Sequence, residues 1–195
     1  PQGASFSAIT DSLAANEVIR APTLFRLYAR ATGADQLVKP GTYGFSQGSG
    51  WKTVLEDLVA GNVLTVRLVI PEGWDLQRIA PRLAELTGAP ADSILYALAD
   101  TAAATRFGVP GPTLEGYLYP ATYTLPVDME LDAIVAYMVS QYKAMWTPER
   151  RTRAEEMGMS EREVITLASI VEKEARVRDE MPTISAVFHN RLRIG

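Results

Sequence analysis

"LTVRLVIPEGWDLQRIAPRLA" (residues 64–84) decides the fold, because it holds a strand, a turn and a helix in direct succession. Its opening run, "LTVRLVI", is rich in β-branched and apolar residues, which is typical of a strand. Pro71 and Gly73 then predict a turn. The apolar residues after the turn recur at helical spacing, at Leu76, Ile79 and Leu83. The sequence therefore predicts an α+β fold.

The same turn and helix are repeated at the start of the chain. "PQGASFSAITDSLA" (residues 1–14) aligns without gaps with residues 71–84, and five positions are identical. A weaker third copy is "SQGSGWKTVLEDLV" (residues 46–59). In the two stronger copies a polar residue after the turn is expected to cap the helix.

Each of the two stronger copies continues in a similar way. A second helix is predicted at residues 22–33 and at 89–100, and an extended segment at residues 41–45 and at 116–125. Strand–helix–helix–strand resembles the LysM module, a small βααβ unit that binds glycan chains of N-acetylglucosamine. The alternative is two packing units of one core, with no glycan bound.

Three parts of the chain are predicted. Residues 1–65 would form the first LysM-like unit with a linking helix, and residues 66–125 the second. Residues 126–195 would form a third, mainly helical part. Helical spacing of apolar residues runs through residues 131–146, and a further helix is predicted at 147–158.

Composition excludes several classes of function. The 195 residues carry a net charge of −4, which argues against nucleic acid as a partner. The absence of cysteine and the presence of one histidine, His189, argue against metal sites, thiol catalysis and a Ser-His-Asp triad. No metal or cofactor is therefore predicted. Because no apolar run approaches 18 residues, no membrane span is predicted within the sequence.

The helix predicted from Glu161 onward carries two glutamates, Glu172 and Glu174, that cannot share a face. Ser160 and Glu163 form a capping-box signature at its start. At 100° per residue, Glu174 falls inside the apolar stripe and Glu172 on its far edge. Burial would favour the protonated carboxyl that a general acid needs. The alternative is that Glu174 reaches water or pairs with Arg178 four residues on.

Three segments in order make the chain similar to a known family. They are "LEGYLYPATY" (114–123), "LASIVEKEA" (167–175) and "ISAVFHNRLRIG" (184–195). With "KPGTYGF" (39–45) and "VIPEG" (69–73), they closely resemble the YceG-like family of endolytic murein transglycosylases.

The resemblance implies cleavage inside peptidoglycan glycan strands, at the β-1,4 bond between N-acetylmuramic acid and N-acetylglucosamine. A 1,6-anhydro-muramoyl end would be formed without water. The family's catalytic glutamate corresponds to Glu174, which would act first as acid and then as base. One carboxyl suffices because the nucleophile is the sugar's own C6 hydroxyl, and an intramolecular attack has a high effective molarity.

The resemblance also implies a set of substrate-binding residues, carried over by position. We expect them to line or support the groove: Glu115, Tyr117, Tyr119, Tyr123, Ser169, Glu172, Asn190 and Arg191. Arg191 could bind a carboxylate or orient Glu172. The family usually has Asp where this chain has Ala121, so the role of that Asp is not carried over.

The resemblance further implies a protein of the cell wall, outside the cytoplasm. It would be anchored to the membrane by a helix preceding residue 1 and would act on nascent strands, with the cell-wall synthesis machinery as a possible partner. Both ends of the sequence look cut, so we expect a fragment that could be inactive alone, with residues 126–195 as the helical part of a catalytic domain that is incomplete at its C-terminus. Two alternatives stay open: a glycan-binding module without catalysis, and a muramidase that hydrolyses the same bond.

Overall fold

The computed structural model describes residues 4–194, which divide into two compact units. Unit 1 holds residues 4–67 with 124–128, and unit 2 holds residues 68–123 with 129–194. Both units are mainly helical, and the fold is α+β as predicted.

Unit 1 is built on three helices: α1 (Phe6–Ala15), α2 (Pro22–Thr32) and α3 (Trp51–Ala60). Its core is a cluster of buried apolar side chains from these helices and the α1–α2 connection. They are Leu13, Val18, Ile19, Phe25, Ala29, Val54, Leu55 and Leu58.

Unit 2 contains seven further helices. They are α4 (Leu76–Thr87), α5 (Ala91–Ala99), α6 (Thr101–Phe107), α7 (Leu131–Met145), α8 (Pro148–Glu156), α9 (Glu161–Glu174) and α10 (Met181–Ile194). A short 3-10 turn, Arg178–Glu180, lies between α9 and α10. Helix α10 is the exception in packing, because none of its residues is buried.

Two strands, β1 (Thr65–Ile70) and β2 (Ala121–Pro126), form an antiparallel pair. Val127 N donates to Leu64 O at one end of the pair, at 3.1 Å. Side chains alternate along each strand, with Leu68 and Ile70 buried on β1 and Tyr123 and Leu125 buried on β2.

The repeated helix is confirmed by matching caps, whereas the turn of the first copy, at residues 1–3, lies outside the described residues. Ser5 accepts a hydrogen bond from Ala8 N at the start of α1 (3.2 Å), and Asp75 accepts one from Arg78 N at the start of α4 (3.0 Å). The two caps occupy the same position of the repeat, so helices α1 and α4 begin in the same way.

The predicted LysM-like organisation is not confirmed, and its first unit is wrong in one part. Residues 41–45 form no strand. The segment is instead tied by Leu64 N, which donates to Thr42 O (2.7 Å), and by Lys39 N, which donates to Leu58 O at the end of α3 (3.0 Å). Two glycines in this short segment, Gly41 and Gly44, also weaken a strand.

The second predicted LysM-like unit, residues 66–125, comes nearer to the expected order of strand, helix, helix and strand. β1 and β2 pair with helices between them, but α6 is an additional helix that the sequence pattern did not predict. The strand begins at Ala121 instead of at residue 116. A LysM-like role for residues 66–125, and the division into three functional parts, stay predictions.

Candidate active site

Helix α9 begins where the capping box predicted. Glu163 N donates to Ser160 Oγ (3.3 Å), and Ser160 N donates back to Glu163 Oε2 (2.8 Å). Ser160 Oγ also donates to Glu163 Oε2 (2.7 Å), and the hydrogen bonds from Ser160 Oγ and Ser160 N to this carboxylate lower the pKa of Glu163, because they stabilise its charged form. Leu167 and Val171 are the buried residues of α9, and they mark the face of the helix that packs within unit 2.

The "LEGYLYPATY" segment lies directly against α9. Gly116 has a φ of +83°, and a Cβ placed on it would be 2.9 Å from Ile165 Cγ2 and 4.0 Å from Ser169 Oγ. Only glycine fits both this backbone conformation and this approach.

The "VIPEG" turn lies against the same side of α9, one turn further along. Gly73 has a φ of +73°, and a Cβ on it would be 3.4 Å from Glu172 Oε1. Ile165, Ser169 and Glu172 are spaced by four and three residues, so they lie along one face of the helix. Two of the family-like segments therefore meet a third along this face.

Glu115 is bound to the start of α4. Its Oε2 accepts a hydrogen bond from Leu76 N at 3.1 Å, beside the Asp75 cap. A carboxylate at a helix N-terminus satisfies an amide that has no partner within the helix. Glu115 therefore fixes the start of α4, directly after the "VIPEG" turn, which is a structural position that sequence spacing did not predict.

An ion pair ties the segment after α9 to the same turn. Arg178 Nη2 donates to both oxygens of Glu72, at 2.9 and 2.7 Å. The Glu72 carboxylate raises the pKa of Arg178, and the charge of Glu172 adds to this effect. Arg178 therefore does not take the predicted alternative role of partner to Glu174.

The prediction that Glu174 is buried is wrong. Glu174 is the last residue of α9 and is exposed, whereas Glu172 is half-buried against Gly73. Glu174 lines an open groove of about 710 Å³ near the start of α10. Other residues lining this groove include Arg176, Asp179, Glu180, Thr183, Phe188 and Arg191.

The covered face of α9 is rotated about the helix axis relative to the predicted apolar stripe. This rotation explains why Glu172 is half-buried and Glu174 is exposed. The covered face of α9 extends past Val164 to include Ile165 and Glu172, which are half-buried, and it leaves Ile170 39% exposed. Its centre is therefore turned by roughly 40° from the centre of the apolar stripe. The turns at Gly73 and Gly116 cause this shift, because they cover a side of the helix that the stripe did not include.

Two of the predicted groove tyrosines lie in the core. Tyr117 is 2% exposed and Tyr123 is 3% exposed, so neither ring can contact a sugar. Tyr117 packs edge-on against Tyr142, with ring centroids 5.1 Å apart. The hydroxyl of Tyr123 donates to Tyr119 O, and burial raises the pKa of Tyr123 to about 12.

A second cavity, of about 760 Å³, lies on the Glu172 side of α9 within unit 2. Tyr119 and Glu172 line it, together with His189 and Ser185 of α10. Four methionines and a tryptophan give it a largely apolar wall: Met145, Met157, Met159, Met181 and Trp146. Sequence reasoning missed this cavity, since its methionines are scattered over two helices and the α8–α9 connection.

The remaining predicted residues are exposed and do not converge on one point. Ser169 Oγ donates to Ile165 O of its own helix at 2.9 Å. Asn190 accepts a hydrogen bond from Arg193 Nη2 (3.3 Å) and lines another groove, which Arg191 does not line. Of the predicted residues, Arg191 alone lines the groove of Glu174.

Within residues 4–194, no three potential ligands among His, Asp and Glu come together as a metal site. In the same range, no helix has the length and hydropathy needed to cross a bilayer.

Comparison with known proteins identifies the family of this chain. The sequence matches the YceG-like family over residues 1–195. The chain belongs to the YceG-like family. A crystal structure of a YceG-like protein from Listeria monocytogenes is similar to it, with 29% identity and a TM-score of 0.58, covering 99% of this chain and 68% of that one.

Curated relatives of this YceG-like chain carry an enzyme name. An endolytic murein transglycosylase of Bacillus subtilis is 27% identical over 209 residues, covering 99% of this chain and 58% of the relative. A protein of the same name from Streptococcus pneumoniae D39 is 25% identical and covers 98% of this chain, which spans 39% of that relative. The chain therefore spans about two fifths to three fifths of the curated relatives it matches.

Proposed function

We propose that this YceG-like chain belongs to a peptidoglycan lytic transglycosylase, a lyase that cuts glycan strands internally. Its substrate bond is the β-1,4 link between N-acetylmuramic acid and N-acetylglucosamine, and its product is a 1,6-anhydro-muramoyl end. The observation that carries the proposal is that relatives named endolytic murein transglycosylase match 98–99% of the chain. The segments "VIPEG" and "LEGYLYPATY" also pack against α9, the helix that carries Glu174, and this packing supports the proposal.

Glu174 is the acid and then the base of this reaction. Its carboxyl donates a proton to the glycosidic oxygen as the bond to C1 breaks, and N-acetylglucosamine leaves with that proton. The carboxylate then takes the proton of the C6 hydroxyl while that oxygen bonds to C1, so Glu174 regains its proton. Ordinary glycosidases need two carboxyls for the corresponding steps.

The exposure of Glu174 places a condition on this mechanism. A carboxyl at the open end of a helix can reach substrate, but water must be excluded from C1 for the anhydro product to form. A glycan strand lying in the Glu174 groove supplies that cover. Arg176 and Arg191 line the groove and offer positive charge to the carboxylates of peptidoglycan.

Glu172 has a different role in the same proposal. It is half-buried, faces Gly73 and contributes to the charge around Arg178. We assign it to holding the end of α9 on the "VIPEG" turn, which fixes where Glu174 is aimed.

The place of action follows from the substrate. Peptidoglycan lies outside the cytoplasm, so the proposed site of action is extracytoplasmic, on nascent strands near the cell-wall synthesis machinery. A membrane anchor ahead of residue 1 is part of the same proposal.

The test is the chemistry of the new chain ends. Purified peptidoglycan is digested with the full-length gene product, and the muropeptides are analysed by mass spectrometry. Anhydro-muramoyl ends that disappear with Glu174→Gln support the proposal. Reducing ends would instead identify a muramidase, because water would then be the nucleophile.

A glycan-binding module without catalysis is the second candidate. The observation that favours it is the exposure of Glu174, since no buried carboxyl acid is present in its groove. Retention on peptidoglycan with no released product from the full-length protein would establish this candidate and contradict the first.

A further inference from the structure

A second carboxylate, that of Glu180, lies in the groove of Glu174 and is held by the backbone. Glu180 is the last residue of the 3-10 turn between α9 and α10, and it lines the same groove of about 710 Å³. Its Oε2 accepts a hydrogen bond from Arg176 N at 3.2 Å. Arg176 comes two residues after Glu174, so this bond ties the Glu180 carboxylate to the end of α9.

The loop between the two glutamates is short and closed by hydrogen bonds. Glu180 N donates to Val177 O (3.1 Å) within the 3-10 turn, and Arg176 N donates to Glu180 across the loop. Even in an extended chain, Arg176 N lies at most about 6 Å from Glu174 Cα, so the Glu180 carboxylate lies within about 10 Å of that Cα. This limit is compatible with the separation of about 5–9.5 Å between carboxyls that flank one glycosidic bond.

The groove contains charges of both signs. Besides Glu174 it is lined by two cations, Arg176 and Arg191, and by the carboxylates of Asp179 and Glu180. Among residues 4–194, no ion pair involves any of these five side chains. Of the two carboxylates that accompany Glu174, only that of Glu180 accepts a backbone hydrogen bond within the same range. Its negative charge therefore has the more defined position.

We propose that Glu180 is a further catalytic residue, whose ionised carboxylate stabilises the positive charge that develops at C1 of N-acetylmuramic acid. This role rests on the proposed transglycosylase reaction, because cleavage of a glycosidic bond passes through an oxocarbenium-like transition state. C1 becomes electron-poor as Glu174 gives its proton to the leaving oxygen and the bond to C1 breaks. Glu180 transfers no proton and forms no bond, so the products of the reaction are unchanged.

A fixed negative charge is needed here because the groove also presents positive charge. Arg176 and Arg191 raise the energy of a cation at C1, and a carboxylate beside C1 offsets this effect. The hydrogen bond from Arg176 N holds the Glu180 carboxylate in place before the reaction starts, so little reorganisation is required in the transition state. A bound glycan strand excludes water from the groove and strengthens the attraction between Glu180 and C1.

Two substitutions at Glu180 in the full-length gene product separate its charge from its hydrogen bond. Glu180→Gln keeps an oxygen that can accept from Arg176 N but removes the charge, whereas Glu180→Ala removes both. Release of anhydro-muropeptides from soluble glycan strands gives kcat and KM. Glu180→Gln should lower kcat about a hundredfold. KM should be nearly unchanged, because the lost interaction is made only in the transition state. Glu180→Ala should lower kcat at least as much.

Glu163→Gln on α9 is the matched control. The Glu163 carboxylate also accepts a backbone hydrogen bond, from Ser160 N at 2.8 Å, and Glu163 does not line the groove of Glu174. Its kcat should therefore equal that of the wild type. Hydrogen–deuterium exchange at the Arg176 amide should be unchanged in Glu180→Gln and faster in Glu180→Ala, and circular dichroism should show that every variant is folded.

The outcomes distinguish a failure of this role from a failure of the proposed function. A wild-type kcat in Glu180→Gln would overturn the role, even if Glu180→Ala is slow, because Glu180 would then only hold the loop. Reducing ends that disappear with Glu180→Gln would also overturn it, since Glu180 would then be the base of a muramidase. Anhydro ends that Glu174→Gln abolishes and Glu180→Gln releases at full rate contradict this role alone. Absence of anhydro ends from the wild-type protein contradicts the proposed function itself.

Discussion

One guanidinium nitrogen of Arg178 lies 2.9 and 2.7 Å from the two carboxylate oxygens of Glu72. This ion pair joins the "VIPEG" turn to the segment that leaves α9 directly after Glu174. Gly73 touches Glu172 beside it, and Glu115 holds Leu76 N behind the turn. The end of the proposed catalytic helix is therefore held on this turn at Glu72 and Gly73, and Glu115 holds the start of α4, which follows the turn.

Glu72→Gln should loosen residues 174–180 with little effect on overall stability. Both partners are largely exposed, and such pairs contribute little to stability. Hydrogen–deuterium exchange should become faster in residues 174–180 while the unfolding midpoint barely moves. Glu156→Gln, which removes a comparably exposed pair with Arg153, is the control and should not change that segment. Unchanged exchange in both variants would contradict the fixing role.

Gly116→Ala should destabilise unit 2 strongly. The positive φ alone costs about 1–2 kcal/mol in a non-glycine residue, and the Cβ would also overlap Ile165 Cγ2. Gly158→Ala provides the matched control, because its φ of +66° carries the same strain with no atom within 4 Å.

The free energy of unfolding, measured in urea, should fall by about 1–3 kcal/mol more for Gly116→Ala than for Gly158→Ala, which is the usual cost of overpacking. The double variant Gly116→Ala with Ile165→Ala should recover part of that difference. Equal losses in the two glycine variants would mean that the segment does not approach α9 this closely.

Tyr142→Phe should lower the free energy of unfolding by about 2 kcal/mol, because the buried hydroxyl donates to the carboxylate of Glu161. Arg151 lies 3.6 Å from the other oxygen of Glu161 and stays in place. Tyr137→Phe is the control, since Tyr137 is 42% exposed and should lose almost nothing. The free energy of unfolding in urea measures both; equal values would contradict the buried hydrogen bond.

Alkaline pH should destabilise the protein through its buried tyrosines. Burial raises the pKa of Tyr123 to about 12 from the usual 10.0, and it also raises the pKa values of Tyr117 and Tyr142. The folded state therefore holds these protons more tightly than the unfolded state. This contribution to stability is complete below about pH 10 and is lost as the pH rises towards 12.

Unfolding free energy measured across this range, with tyrosinate absorbance at 295 nm, checks the alkaline prediction. Tyr123→Phe should make the loss less steep. A free energy of unfolding that is flat up to pH 12 would show that these phenols ionise as easily when folded as when unfolded.

Local signals in the sequence predicted much of the fold. The caps at Ser5, Asp75 and Ser160 and strand β1 follow from residues within a few positions of each other. The strand predicted at residues 41–45 is absent, because a strand needs a partner strand. The backbone of this segment is instead held by Leu64 and the end of α3. Helix α6 was missed, since its seven residues are too few for a clear apolar period.

The candidate site was harder to predict, because side chains from distant segments decide what is covered. Periodicity placed Glu174 inside the apolar stripe, but the contact of Gly73 with Glu172 covers the other glutamate. The tyrosines of "LEGYLYPATY" are similar in sequence, yet Tyr117 and Tyr123 are core residues and Tyr119 lines a cavity. Spacing along one segment cannot separate these environments.

The most direct test of the central claim compares Glu174→Gln with Glu172→Gln in the full-length gene product. Release of anhydro-muropeptides from purified peptidoglycan is measured by mass spectrometry, with circular dichroism to show that both variants are folded. Glu174→Gln should abolish release, whereas Glu172→Gln should reduce it and leave the product unchanged. Normal release by Glu174→Gln, with none from Glu172→Gln, would contradict the assignment and transfer the acid–base role to the half-buried glutamate.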